Sequence, residues 1–180
     1  MNTKWNEKME RTVIKLENYG NSIALYILLI SLMASILSLS LPTFDWSPNQ
    51  KAFGVFALFF IGLSALHGVM WWILTREFLK LSPEIKRFLS SAIRLVRPVH
   101  MMTGMLGLGL VLLHGLSFIT GNGFDWNGVT ATGTLAFVAL FLLALDGIGL
   151  MMSPFLSRAI HRWIAGSFLA FLVVHLWIVL

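Results

Sequence analysis

The order of apolar and polar positions divides the chain into five long apolar runs joined by short polar stretches. Before the first run, Trp5, Met9, Val13 and Leu16 recur on one helical face, while Lys4, Lys8, Arg11 and Lys15 stand among acids elsewhere. That is the pattern of an amphipathic helix lying in a membrane interface. The run from Ile23 to Leu41 is long enough to cross a bilayer. Basic residues ahead of an apolar run also describe a secretory signal. No convincing small-residue cleavage site follows this one, so it reads as a retained first span.

Leu41-Pro42 closes that span, and Thr43 to Lys51, with Asp45, Trp46 and Pro48, predicts a polar turn. Ala52 to Thr75 is the second span, with Trp71-Trp72 suited to the water–lipid boundary. Arg76 to Arg97 is the longest connection. Within it Ser82-Pro83-Glu84 has the features of a helix start: a serine cap, a proline in the first position and an acid in the first turn. Ile85, Phe88, Leu89, Ala92, Ile93 and Val96 then recur at helical spacing and predict a surface helix leading into the third span, a solvated linker being the plainer alternative. The third span covers about Pro98 to Thr120. Gly121-Asn122-Gly123 opens a loop containing Asp125 and Trp126. Val129 to Met152 is the fourth span, Ser153-Pro154 breaks it, and Ile160 to Leu180 is the fifth. The expected architecture is an all-α integral membrane protein: an amphipathic cytoplasmic segment over 1–21 and a five-helix transmembrane domain over 22–180.

Composition agrees with this pattern and narrows it. The chain is 57% hydrophobic and 12% charged, with a mean hydropathy of +0.82, too apolar for an ordinary soluble domain. At about 20 to 25 residues per span, five helices use up the 180 residues and leave no separate soluble domain. Charge then gives orientation. Alternating spans put residues 1–21, 76–97 and 153–162 on one side, and that side collects every basic residue except Lys51. The positive-inside rule places it in the cytoplasm, with the N-terminus inside and the C-terminus outside the inner membrane. Nothing in the pattern supports a nucleic-acid partner.

The third and fifth spans carry the candidate chemistry. His114 follows His100 by fourteen positions, and His175 follows His161 by the same fourteen. Fourteen positions turn a helix by about 1,400°, close to whole turns, and advance it by about 21 Å. Both histidines of each span therefore share a face. One span separates the third from the fifth, so the two run parallel, which sets His100 opposite His161 on the cytoplasmic side and His114 opposite His175 on the outer side. A lone membrane histidine is commonly a packed, hydrogen-bonded side chain, but four at matched spacing form a pattern. Two imidazoles per site are too few for a closed tetrahedral zinc site and the right number for the axial positions of one haem iron. With no cysteine in the chain, disulfides, iron–sulfur clusters and thioether-attached haem are excluded, so the expected cofactors are two haem b.

Other residues are read against these four. Gly107 lies midway between His100 and His114 on their face, Gly104 one turn above His100, and Gly166 near the matching region of the fifth span. Such glycines let a flat macrocycle approach a helix, although small residues also occur wherever membrane helices pack. Arg97, Arg158 and Arg162 flank the inner histidines and suit haem propionates, a place positive-inside anchoring also gives them. Asn122 and Trp126 are the outer counterparts. His67 and Asp146 lie about 10 Å inside the cytoplasmic surface. An ionised aspartate at that depth costs several kcal/mol, of order 3 by insertion scales, unless paired. The two are a candidate shared quinone or proton site; local hydrogen bonding, or contact of His67 with the inner haem, is the alternative.

The pieces Arg97-Pro98-Val99-His100 with His114-Gly115, and His161-Arg162-Trp163 with His175, resemble the ferric reductase-like transmembrane domain. That family includes NADPH oxidases, ferric reductases and the bacterial haem subunit of the methionine sulfoxide reductase system. The resemblance covers roughly residues 50–180 and rests on the paired histidines. It implies haem ligation by His100, His114, His161 and His175 and electron passage across the membrane. Larger members have a sixth span and a flavin- and nicotinamide-binding domain, for which the five residues after His175 leave no room. The expectation is therefore an electron-transfer component of an oxidoreductase, fed by a separate flavoprotein or by quinol and delivering to an extracytoplasmic acceptor. Two alternatives stand beside it: a quinone-reactive cytochrome b anchor subunit of a larger enzyme, and a haem-free scaffold or transporter component.

Overall fold

A computed structural model describes residues 3–40, 49–152 and 157–180. Among them five α-helices follow one another: α1 (Thr3–Ser40), α2 (Gln50–Thr75), α3 (Pro83–Asn122), α4 (Gly128–Met152) and α5 (Arg158–Val179). A single turn of 3-10 helix at Glu77–Leu79 follows α2, and the described residues contain no strand. Each helix is long and apolar enough to cross a membrane. In hydrocarbon a helix satisfies its own backbone polar groups, which is why apolar runs of this length take no other form. The outer surface is apolar too, with Trp177 87% and Val173 64% exposed. Lipid is the environment in which such a surface costs nothing.

Several helix starts carry the signals the sequence gives them. Ser82 Oγ accepts the Ile85 N–H at 3.3 Å at the start of α3, as the Ser-Pro-Glu signature predicts. Asn127 Oδ1 accepts from Val129 and Thr130 at 3.0 and 3.1 Å and caps α4. Ser157 caps α5 through Ile160. At the end of α3, Gly123 takes a φ of +74° and returns its N–H to Ile119 at 2.9 Å. This is the left-handed helix stop that favours glycine.

Two boundaries differ from the sequence reading. The surface helix before Pro98 and the third span form one helix of 40 residues, with Pro98 inside it. Proline removes only the bond to the Arg94 carbonyl, whereas a full break would strand several backbone groups at the membrane edge. Likewise the N-terminal segment and the first span form one helix of 38 residues. The side chains of Trp5, Met9, Val13 and Leu16, the turn at 41–48 and the Ser153-Pro154 break lie outside the described residues.

The chain divides into two compact units, Met1–Ile30 with Leu58–Gly107, and Ser31–Ala57 with Leu108–Leu180. In the first, α1 and α3 meet at Gly20, where an added Cβ would stand 2.7 Å from Pro98 Cβ. Only glycine permits that approach. Ala24, Ile61, Ser64, Thr103 and Met105 are buried there. The second unit is dominated by the antiparallel pair α4 and α5, and it buries Leu108, Ser117, Ala139, Leu140, Asp146 and Phe168.

Candidate cofactor-binding site

All four histidines of the fourteen-residue pattern present Nδ1 to an acceptor on the preceding helix. In the first unit His100 Nδ1 on α3 lies 2.8 Å from the Ser64 carbonyl of α2 and 2.9 Å from Ser64 Oγ. The Ser64 hydroxyl in turn donates to the His100 carbonyl at 3.1 Å. In the second unit His114 Nδ1 lies 2.8 Å from the Gln50 carbonyl of α2. His175 Nδ1 on α5 is 3.2 Å from Thr132 Oγ1 of α4, and the ring also engages the Val129 backbone. His161 Nδ1 is 2.7 Å from Asp146 Oδ2 of α4.

These acceptors fix the tautomer. A carbonyl or carboxylate oxygen can only accept, so Nδ1 must carry the proton at His100, His114 and His161. Thr132 donates its own proton to the Gly128 carbonyl at 2.8 Å, which leaves its oxygen to accept from His175. A neutral imidazole protonated at Nδ1 has its lone pair on Nε2, the arrangement of a metal-ligating histidine oriented by a partner on its other nitrogen.

Glycines explain how the His114 and His175 rings reach backbone groups that already serve their own helices. A side chain leans toward the N-terminus of its helix and covers the turn before it. Glycine at i+4 therefore uncovers the carbonyl of residue i. Gly54 stands four residues after Gln50 and Gly133 four after Val129; Gly68 stands four after Ser64, but an added Cβ there would meet nothing within 4 Å. A Cβ at Gly54 would lie 3.1 Å from His114 Nδ1, and one at Gly133 would lie 3.1 Å from His175 Cε1. At Gly147 the nearest approach would be His161 Cε1, at 3.8 Å. Gly54 and Gly68 are fourteen residues apart, as are Gly133 and Gly147. The helices that precede the histidines thus carry the same period as the histidines themselves.

Sequence reasoning missed this second set. The matching spacing on α2 and α4 was the available signal, since antiparallel neighbours of equal rise keep a shared period in register. Gln50, Ser64 and Val129 had no such signal, because a backbone carbonyl belongs to every residue type.

The remaining candidates divide between the two units. His67 packs its ring on His100, with centroids 4.9 Å apart and planes at 30°. Asp146 is 1% exposed, and among the described residues its Oδ1 has no hydrogen-bond partner. Each member of the candidate quinone or proton site therefore has a patterned histidine as neighbour, His100 for one and His161 for the other. Gly107 is buried in α3. A Cβ at Gly104 would lie 3.3 Å from Ser64 Oγ, so this glycine makes room for the acceptor of His100, and Gly166 faces open space. Arg97, Arg158 and Arg162 are exposed, Arg162 donating from Nε to the Arg158 carbonyl at 3.2 Å. Asn122 donates to Gln50 Oε1 at 3.4 Å, the side chain of the residue whose carbonyl holds His114. Trp126 is 64% exposed.

Within the second unit His114 is an electrostatic neighbour of His175. Among the described residues no three His, Cys, Asp or Glu side chains gather as a closed metal site would need. Comparison with family models, with curated proteins and with solved structures finds no match for this chain.

Proposed function

We propose that the chain is a dihaem b-type membrane cytochrome that passes single electrons across the bilayer, and that it works as a component of an oxidoreductase. The observation that carries this reading is the common state of the four histidines. Each has Nδ1 held by an oxygen on a neighbouring helix, which in the neutral ring puts the lone pair on Nε2. Histidines kept only for packing have no reason to share one anchored ring nitrogen and one period.

The residues present fit haem by donor chemistry: neutral imidazoles in pairs, small residues beside them, and cationic side chains at the cytoplasmic helix ends. By register His100 with His161 would hold one iron, and His114 with His175 the other. Bound haem supplies a one-electron couple that the side chains lack. The protein orients each ligand through Nδ1 and surrounds it with apolar helix, which raises the cost of water entry. Arg97, Arg158 and Arg162 would meet propionates at the inner boundary, with Asn122 and Trp126 at the outer one. The basic loops support an N-terminus in the cytoplasm of a bacterial-type inner membrane, so electrons from a flavoprotein or quinol donor would leave toward an extracytoplasmic acceptor.

Reduced-minus-oxidised spectroscopy of the purified protein, with haem quantified per chain, is the test. We expect two b-type haems per chain. His114→Ala or His175→Ala should remove one of them, and His100→Ala or His161→Ala the other. A chain purified from haem-replete cells without a reducible b-type spectrum defeats the proposal in favour of a haem-free scaffold.

A further inference from the structure

Three of the four histidines are anchored by neutral oxygens and one by a carboxylate. The Ser64 and Gln50 carbonyls hold His100 and His114, and the Thr132 hydroxyl holds His175. Asp146 holds His161 at 2.7 Å. Gly147 follows Asp146 on α4, and a Cβ there would stand 3.8 Å from His161 Cε1, an ordinary contact. The Asp146 carboxylate is 1% exposed, and its second oxygen lacks a hydrogen-bond partner among the described residues. Such a group is costly at membrane depth.

We propose that Asp146 is a positioning residue that sets the reduction potential of one centre below that of the other, so that the iron held by His161 is the harder one to reduce. This rests on the reading of His161 as an axial ligand. A carboxylate draws the Nδ1 proton more strongly than a carbonyl does, which makes the imidazole a stronger donor through Nε2. Stronger donation favours the ferric over the ferrous ion. The buried negative charge acts in the same direction, because the oxidised centre has one more positive charge and the medium screens little. Both effects lower the potential of the His161 centre and leave that of the His175 centre. An electron entering at the His161 side then moves downhill toward the His114 and His175 side, which gives the conduit a preferred direction.

The substitution Asp146→Asn separates charge from placement, since the amide oxygen still accepts from Nδ1. In the purified membrane protein we expect both haems to be retained. An optical redox titration should then have one of the two midpoints raised by at least tenfold in the oxidation–reduction equilibrium, about 59 mV for a one-electron couple, with the other unmoved. Two haems with unchanged midpoints, or with both moved equally, overturn the inference while leaving the cytochrome intact. A wild-type chain that binds no haem defeats the underlying reading instead. Should the Asn variant lose a haem, Thr132→Asp provides the converse test by giving His175 a carboxylate. It should lower the other midpoint, and a haem-loaded Thr132→Asp protein with both midpoints unchanged overturns the inference equally.

Discussion

At the scale of single residues, the histidines were legible because a ligand must be a particular side chain at a particular spacing, and fourteen positions return a helix to the same face. Their acceptors were hidden, since Gln50, Ser64 and Val129 offer the backbone or lie at positions of no distinctive chemistry. The glycines fall between these cases: visible in the sequence, yet meaningful only once the preceding helix is known to be the neighbour. Two outcomes follow from their role. Gly133→Leu should displace the His175 ring, because even its Cβ would stand 3.1 Å from Cε1. We expect about a 10- to 100-fold loss of affinity for one haem, the usual size for disturbing a ligand's orienting shell, measured by haem titration of the apoprotein. Gly62→Leu, on the same helix as Gly54 but with no atom within 4 Å of an added Cβ, should bind both haems normally. Ser64→Ala is a milder case. The Ser64 carbonyl remains for His100, so only about 1 kcal/mol of hydrogen bonding is lost, and both haems should stay bound, with at most about a tenfold weaker affinity for one.

At the scale of elements, the apolar runs foretold the five helices, and the caps foretold where α3 begins. What they could not give was continuity. Pro98 resembles a boundary in sequence because proline usually ends a helix, but the backbone of α3 runs through it. The reason lies partly in a distant residue: Gly20 on α1 brings that helix against Pro98, a contact no local pattern contains. Gly20→Ala should therefore destabilise the protein although alanine is the better helix former. Its Cβ would approach Pro98 Cβ to 2.7 Å, and overpacking of this kind costs about 1 to 3 kcal/mol. Thermal unfolding in detergent should show a lowered midpoint, and a midpoint equal to or above wild type would mean that α1 does not pack on α3 at this position.

At the scale of the whole molecule, charge predicts which way the proposed conduit faces, and the absence of cysteine makes that orientation measurable. Twelve of the thirteen basic residues fall within 1–21, 76–97 and 153–162, the segments that alternating spans would put on one side. One face of α3 carries Lys86, Arg87 and Arg94, and anionic headgroups would attract such residues by about 1 kcal/mol each. Reversing the protein would carry these charges across the membrane. A single cysteine at Lys80 or Glu77 should accordingly be labelled by an impermeant maleimide only after the cells are opened. One at Trp126, which is 64% exposed in the α3–α4 loop, should be labelled in intact cells of a strain whose outer membrane admits the reagent. The opposite pattern would invert the conduit. The ligand pairs would keep their places, but the centre next to Asp146 would then face the extracytoplasmic side, and the downhill direction argued from its carboxylate would run inward. The labelling result therefore fixes whether the protein exports electrons or takes them up, independently of how many haems it binds.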